Sequence, residues 1–291
     1  MFNSQKFFRF KKKSIRVINI MKKYYKAYFG GIIIISILIS AIFAPILAPA
    51  DPYKTNVRKR LEGPSMENLL GTDSLGRDIL SRLIYAARPA VLVSFGGIII
   101  SVIIGIILGL LAAYVGGILE KIILFIFDVI RAFPPIILIL VILSIVGPSL
   151  LSVIVILGIT IMPRYGRVVR AETLSEKEED FVEAARSLGA DNSRIIFKHI
   201  LPNIFASVLV LSGMDMASMI MWEAGLSFLG LGLQPPLSSW GVMLQESYQY
   251  IQTAPLMIVW PALAIMLTMF GFSTFAESLR VALNPKLNQE V

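Results

Sequence analysis

The chain has 291 residues, a mean hydropathy of +0.76, 56% hydrophobic residues and only 16% charged ones. That balance excludes an ordinary soluble domain, which needs more polar surface to cover a core of this size. The net charge of +8 comes with basic residues flanking apolar runs, a pattern that sets membrane orientation rather than one that binds nucleic acid. The absence of cysteine excludes disulfides, thiolate metal sites and a cysteine nucleophile.

Uncharged runs at 30–48, 89–119 and 132–163 reach or exceed the roughly 18–20 residues that cross about 30 Å of hydrocarbon. The expected fold class is therefore an all-α integral membrane protein with six transmembrane helices. A basic tail, 1–27, carries nine Lys/Arg and no acid, and is too long for a signal peptide. An uncleaved first span is expected over 28–48, then an extracytoplasmic segment over 49–88. A core domain over 89–282 holds five more spans. The second is expected over 89–115, followed by a tight turn at Gly116-Gly117 and a third over 121–146. Gly147-Pro148 breaks the apolar run, and the fourth is expected to end at Pro163. The fifth and sixth are expected over 203–225 and 255–279, before a tail at 283–291. No internal repeat is visible, which disfavours an inverted-repeat carrier.

Lys and Arg place both termini in the cytoplasm: nine in the tail, seven between Arg164 and Lys198, and none in loop 226–254. Segment 51–88 opposes this with seven Lys/Arg, although five acids accompany them.

The only long cytoplasmic loop between spans is 164–202, and it reads as two short helices. Ser175-Glu176-Lys177-Glu178 has the form of a capping box, and Glu178, Glu179 and Asp180 suit a first helical turn. Phe181, Ala184, Ala185 and Leu188 recur at helical spacing as one apolar, small-residue stripe. Gly189 is placed to end that helix in a left-handed conformation. A second helix over about 191–200 presents Ile195, Ile196 and Ile200, with Pro202 as its stop. A loop packed on its own bundle has this outline, as does a DNA-binding helix-turn-helix. Tethered between two spans and lacking a third helix, the latter has little room to enter a groove. The sharper reading, beside the self-packed loop, is a docking element for a cytoplasmic partner.

Glu183-Ala184-Ala185, Gly189 and Ile200-Leu201-Pro202 resemble the EAA loop of bacterial ABC-importer permeases. That family has an isoleucine two positions before the leucine, where this chain has His199, a departure that touches helix packing more than docking. Leu70-Gly71-Thr72-Asp73-Ser74-Leu75-Gly76-Arg77-Asp78, with Leu80-Ser81-Arg82-Leu83, is similar to the segment before the second helix of dipeptide/oligopeptide permeases. Ala132-Phe133-Pro134 and the block from Glu223 to Gly232, with Gln234-Pro235-Pro236 and Ser239-Trp240-Gly241, extend the likeness over roughly residues 30–285. The resemblance is to the C-type subunit of peptide importers, whose subfamily also serves nickel and metal chelates.

The resemblance implies a type I ABC-importer permease fold in the bacterial inner membrane. It also implies a related second permease, two ATP-binding subunits and an extracytoplasmic solute-binding protein. Glu183, Ala184, Ala185, Gly189, Ile200, Leu201 and Pro202 would form the coupling loop. No cofactor is expected in this chain, because G-x-x-x-x-G-K-[ST] is absent. ATP and Mg would be bound by partner subunits, so the chain is a transport subunit and not itself an enzyme.

Candidate pathway or gate residues are Asp215, Glu223, Ser227, Phe228, Gln234 and Trp240. Ionisable groups in spans are rare and face the bundle interior. Asp215 either faces the pathway or pairs with the sister permease, and Asp128 is expected to pair with Arg131 one turn on. The Gly-rich block 225–241 is irregular, either as gate or as structural re-entrant turn. His199 reads as an interface residue, and Asp73, Arg77 and Asp78 as a hydrogen-bonded cap on the second helix. The rival reading is a proton-coupled carrier using Asp128, Asp215 and Glu223 as a relay.

Overall fold

A computed structural model describes residues 25–234 and 236–283; of the expected tails 1–27 and 283–291, residues 1–24 and 284–291 lie outside the described residues. Ten α-helices are found in this part: α1 (Tyr25–Leu47), α2 (Ile79–Val115), α3 (Gly117–Ala132), α4 (Pro135–Val146), α5 (Leu150–Glu176), α6 (Asp180–Ser187), α7 (Asn192–Ile195), α8 (Leu201–Phe228), α9 (Trp240–Tyr248) and α10 (Leu256–Leu283). Among the described residues five helices are long and apolar enough to cross a membrane, or six when the bent pair α3–α4 is one span.

The α2 helix shows why the bundle closes. Gly97, Ser101, Gly105 and Gly109 recur every fourth residue and are buried, whereas Ile99, Ile103 and Ile107 lie on another face and stay exposed. The small face packs on α5, the most extensive helix contact of the fold. A Cβ on Gly105 would stand 2.5 Å from that of Tyr165. Small residues permit this backbone approach where the hydrophobic effect between helices is weak. Ser101 Oγ spans the gap, donating to the Gly158 carbonyl at 2.7 Å. The exposed isoleucines suit contact with lipid tails.

Four sequence-based boundaries need correction. The second span starts at Ile79, ten residues before the expected 89, because Asp78 caps it: its Oδ2 accepts from Ser81 N at 2.7 Å. Pro89 then lies inside the helix. The third span is broken, with α3 and α4 bent by 91°. Phe133 and Pro134 take extended backbone there, since Phe133 precedes one proline and Pro134 another. The fourth span does not end at Pro163 but continues to Glu176. Ser175 therefore belongs to the last turn of α5 rather than to a capping box, and α6 begins at Asp180 without a side-chain cap. Pro202 does not stop a helix either. Residues 192–228 run on through a π-helical turn at Ile196–Ile200 into α8, with Pro202 in its first turn. The wider π turn makes room for a proline ring and its missing donor.

Segment 49–78 is folded against the start of α2 and against α9. Asp73, 1% exposed, accepts from Arg77 Nε at 2.6 Å and Arg82 Nη1 at 2.5 Å. Both arginines also reach Glu246 of α9, at 2.9 and 2.6 Å. Trp240 Nε1 donates to the Leu83 carbonyl at 3.1 Å. Of the seven Lys/Arg in 51–88, four have structural partners: Arg77 and Arg82 in this cluster, Lys59 on Glu67, and Arg88 on the Ala41 carbonyl. Their charge serves the fold, which eases the conflict with the expected orientation.

Candidate functional site

The segment between α5 and α8 is a helix–glycine–helix loop at one end of the bundle. Helix α6 ends in a Schellman motif: Gly189 N donates to the Arg186 carbonyl at 2.8 Å and Ala190 N to the Ala185 carbonyl at 3.0 Å. Gly189 has φ +80°, the left-handed geometry expected from its position. Only part of the loop is committed to the bundle. Val182, Ile195 and Ile200 are fully buried in the main core cluster with Leu157 and Val169. Asn203 Nδ2 ties the loop's far end to Glu176 at 2.7 Å.

The other face is left open. Phe181 is 39% exposed, Phe197 66% and Leu188 89%, with Ala184 exposed beside them. The stripe Phe181–Ala184–Ala185–Leu188 thus points away from its own bundle, and the loop is held instead by Val182, between stripe positions, and by Ile195 and Ile200 beyond it. Exposed apolar surface of this kind makes the loop a candidate interaction site. Glu183 is also exposed, Leu201 is half-buried and Pro202 exposed. His199 lies beside the Phe181 ring, centroids 6.3 Å apart.

The structure does not gather the candidate pathway residues into one wall. Glu223, Ser227 and Trp240 are buried, and Phe228 and Gln234 are exposed. Ser227 Oγ donates to Glu223 at 2.7 Å and accepts from Leu233 N at 3.1 Å, so this pair anchors the irregular stretch after α8. That stretch is shorter than the expected 225–241, because α8 runs through Gly225 to Phe228. Gln234 folds back onto the Gly230 carbonyl, and Phe228 meets Tyr248 edge-on.

Asp215 lies lower on α8. Arg164 of α5 pairs with one of its oxygens, and the buried Tyr165 hydroxyl of the same helix is a second partner of the carboxylate. Asp128 pairs with Arg167, not with the expected Arg131, and Arg170 holds Glu120. Arg164, Arg167 and Arg170 therefore form a ladder along α5, each rung reaching an acid on another helix. Read from the sequence alone, these arginines count as loop charge. Their i, i+3, i+6 spacing is the available signal, and it is lost when Pro163 is taken to end the helix. With two acids paired to arginine and the third bonded to a serine, the membrane acids no longer call for a proton relay.

The long apolar helices and the exposed helix–glycine–helix loop give the outline of a membrane-spanning subunit with an open face at one end, and comparison with known proteins supplies its family. Residues 105–289 match the family described as binding-protein-dependent transport system inner membrane component, and 19–64 match the N-terminal transmembrane domain of oligopeptide transport permease C. The chain belongs to this family of ABC-importer permeases. It is 43% identical to the dipeptide transport system permease protein DppC of Alkalihalophilus pseudofirmus, over 92% of this chain and 88% of that one. It is 40% identical to the glutathione transport system permease protein GsiD of Pectobacterium atrosepticum (89% and 86% covered) and 36% identical to the oligopeptide transport system permease protein OppC of Bacillus subtilis (90% and 86%). The fold is shared with the inward-facing MetNI methionine ABC transporter, at TM-score 0.55 and 21% identity over 71% of this chain and 98% of that one. It is shared too with an amino acid ABC transporter crystallised with histidines, at TM-score 0.52 and 21% identity over 69% and 92%.

Proposed function

We propose that this permease forms, with a related second permease, the pathway by which short peptides enter the cell. Two separate ATP-binding subunits power it and an extracytoplasmic solute-binding protein delivers the cargo. The observation that carries this reading is the loop 176–202, anchored through Val182, Ile195 and Ile200 yet open at Phe181, Leu188 and Phe197. On this reading Glu183, Ala184, Ala185 and Gly189 sit in a cleft of an ATPase subunit. Ile200, Leu201 and Pro202 pass its movement straight into α8, because the chain is helical from 192 to 228. ATP and Mg stay on the partner. Both termini are cytoplasmic, and the cluster around Asp73 is extracytoplasmic. The peptide class is supported by the dipeptide, oligopeptide and glutathione permeases among the relatives, and nickel or a metal chelate is the lesser alternative.

Proteoliposomes holding the two permeases and the ATPases test this reading. Labelled trialanine should accumulate only with binding protein outside and ATP inside, and a pH gradient should not replace ATP. Uptake by this chain alone on a pH gradient would establish the carrier instead.

A further inference from the structure

The break between α3 and α4 opens onto a cavity of about 290 Å³, near the small end of pockets that hold small molecules. Its wall includes Arg131, Phe133, Thr160, Arg164, Asp215 and Trp222. Two guanidinium groups face one carboxylate, which leaves an excess of one positive charge. Asp215, 2% exposed, spends one oxygen on Arg164 and so positions that side chain. Arg131 makes no ion pair among the described residues, since Asp128 is taken by Arg167. Pro135, at the N-terminus of α4, also lines the cavity, and the positive end of a helix dipole favours an anion. Irregular backbone within an apolar span is tolerated where it lines a cavity, as the Phe133–Pro134 break does.

We infer that this cavity is a transient binding site for the terminal carboxylate of a peptide in transit, with Arg131 as its principal ligand and Arg164, held by Asp215, as the second. The inference rests on the peptide reading above. A carboxylate suits a guanidinium fork through two parallel hydrogen bonds. Every linear peptide carries this group whatever its side chains are, so a site that reads it accepts many sequences. Phe133 and Trp222 supply apolar wall for side chains of any kind.

The chain has no cysteine, so Ser218→Cys on the cavity wall gives a single reactive thiol once the partner subunits are also cysteine-free. The assembled importer without binding protein is treated with a maleimide in the presence of trialanine or trialanine amide. Trialanine should slow the modification, and the amide should need at least about tenfold more for equal protection, as should trialanine on Arg131→Gln. Arg131→Lys, which keeps the charge, should retain part of the protection. Uptake of trialanine by the full importer is measured alongside. Normal uptake with equal protection by acid and amide, or with unchanged protection in Arg131→Gln, overturns the carboxylate site and leaves the peptide reading intact. Absence of uptake of any peptide overturns both.

Discussion

Gly189→Val should leave the permease inserted and paired with its sister while ATPase docking, or the coupling of hydrolysis to transport, falls sharply. The φ of +80° puts a β-branched side chain against its own backbone, at about 1–2 kcal/mol. No other atom lies within 4 Å of the added Cβ, so the strain comes from the turn alone. That is too little to unfold the bundle and enough to lose the turn that aims residues 190–200. Once the Schellman bonds from Gly189 and Ala190 loosen, the exposed stripe of α6 no longer holds its angle to the helix that runs into α8. Glu183→Lys should act in the same direction, by reversing a charge on the exposed face. The measurement is co-purification of the ATPase subunits together with substrate-stimulated hydrolysis. Wild-type values of both for Gly189→Val would mean that the loop is not the coupling element.

Asp73→Asn should cost more stability than any surface change. The carboxylate accepts from Leu75 N at 2.8 Å and Arg77 N at 3.0 Å besides the two guanidinium groups. With it neutralised, Arg77 and Arg82, 8% and 2% exposed at their side chains, would share only Glu246. Removing one partner from a buried ionic cluster costs about 3–5 kcal/mol, because the charges left behind are uncompensated. The loss should appear as a lower midpoint in denaturant titration of the purified permease, and Arg82→Met in the same chain should restore part of it. A change under about 1 kcal/mol would mean that water already screens the cluster.

The general architecture was legible because apolar length needs no tertiary knowledge. Gly189 was legible for a similar reason: its position after an amphipathic stripe states a local backbone demand. The arginine ladder was not, because pairing across helices leaves no local trace. Asp128 and Arg131 satisfy a local rule worth about 0.2–0.5 kcal/mol, and a guanidinium on the adjacent α5 outweighs it. Prolines misled in both directions. Pro163 and Pro202 look like stops, yet neighbouring helices and a π turn accommodate them, whereas Pro134-Pro135, inside an unbroken apolar run, breaks the third span. The apolar stripe of α6 was legible as a stripe. That it faces outward depends on Val182, a residue between stripe positions, taking the buried place.

The most direct test of ATP-driven coupling through this loop uses two single cysteines at opposite ends of α8 and its loop, Leu188→Cys and Leu229→Cys, both at exposed positions. A photoactivatable cross-linker is attached to each in the assembled importer, and an impermeant thiol reagent is applied to intact cells. Leu188→Cys should cross-link to an ATPase subunit and escape the reagent, and Leu229→Cys should do neither. ATPase cross-linking at position 229, or labelling of position 188 from outside the cell, would contradict it.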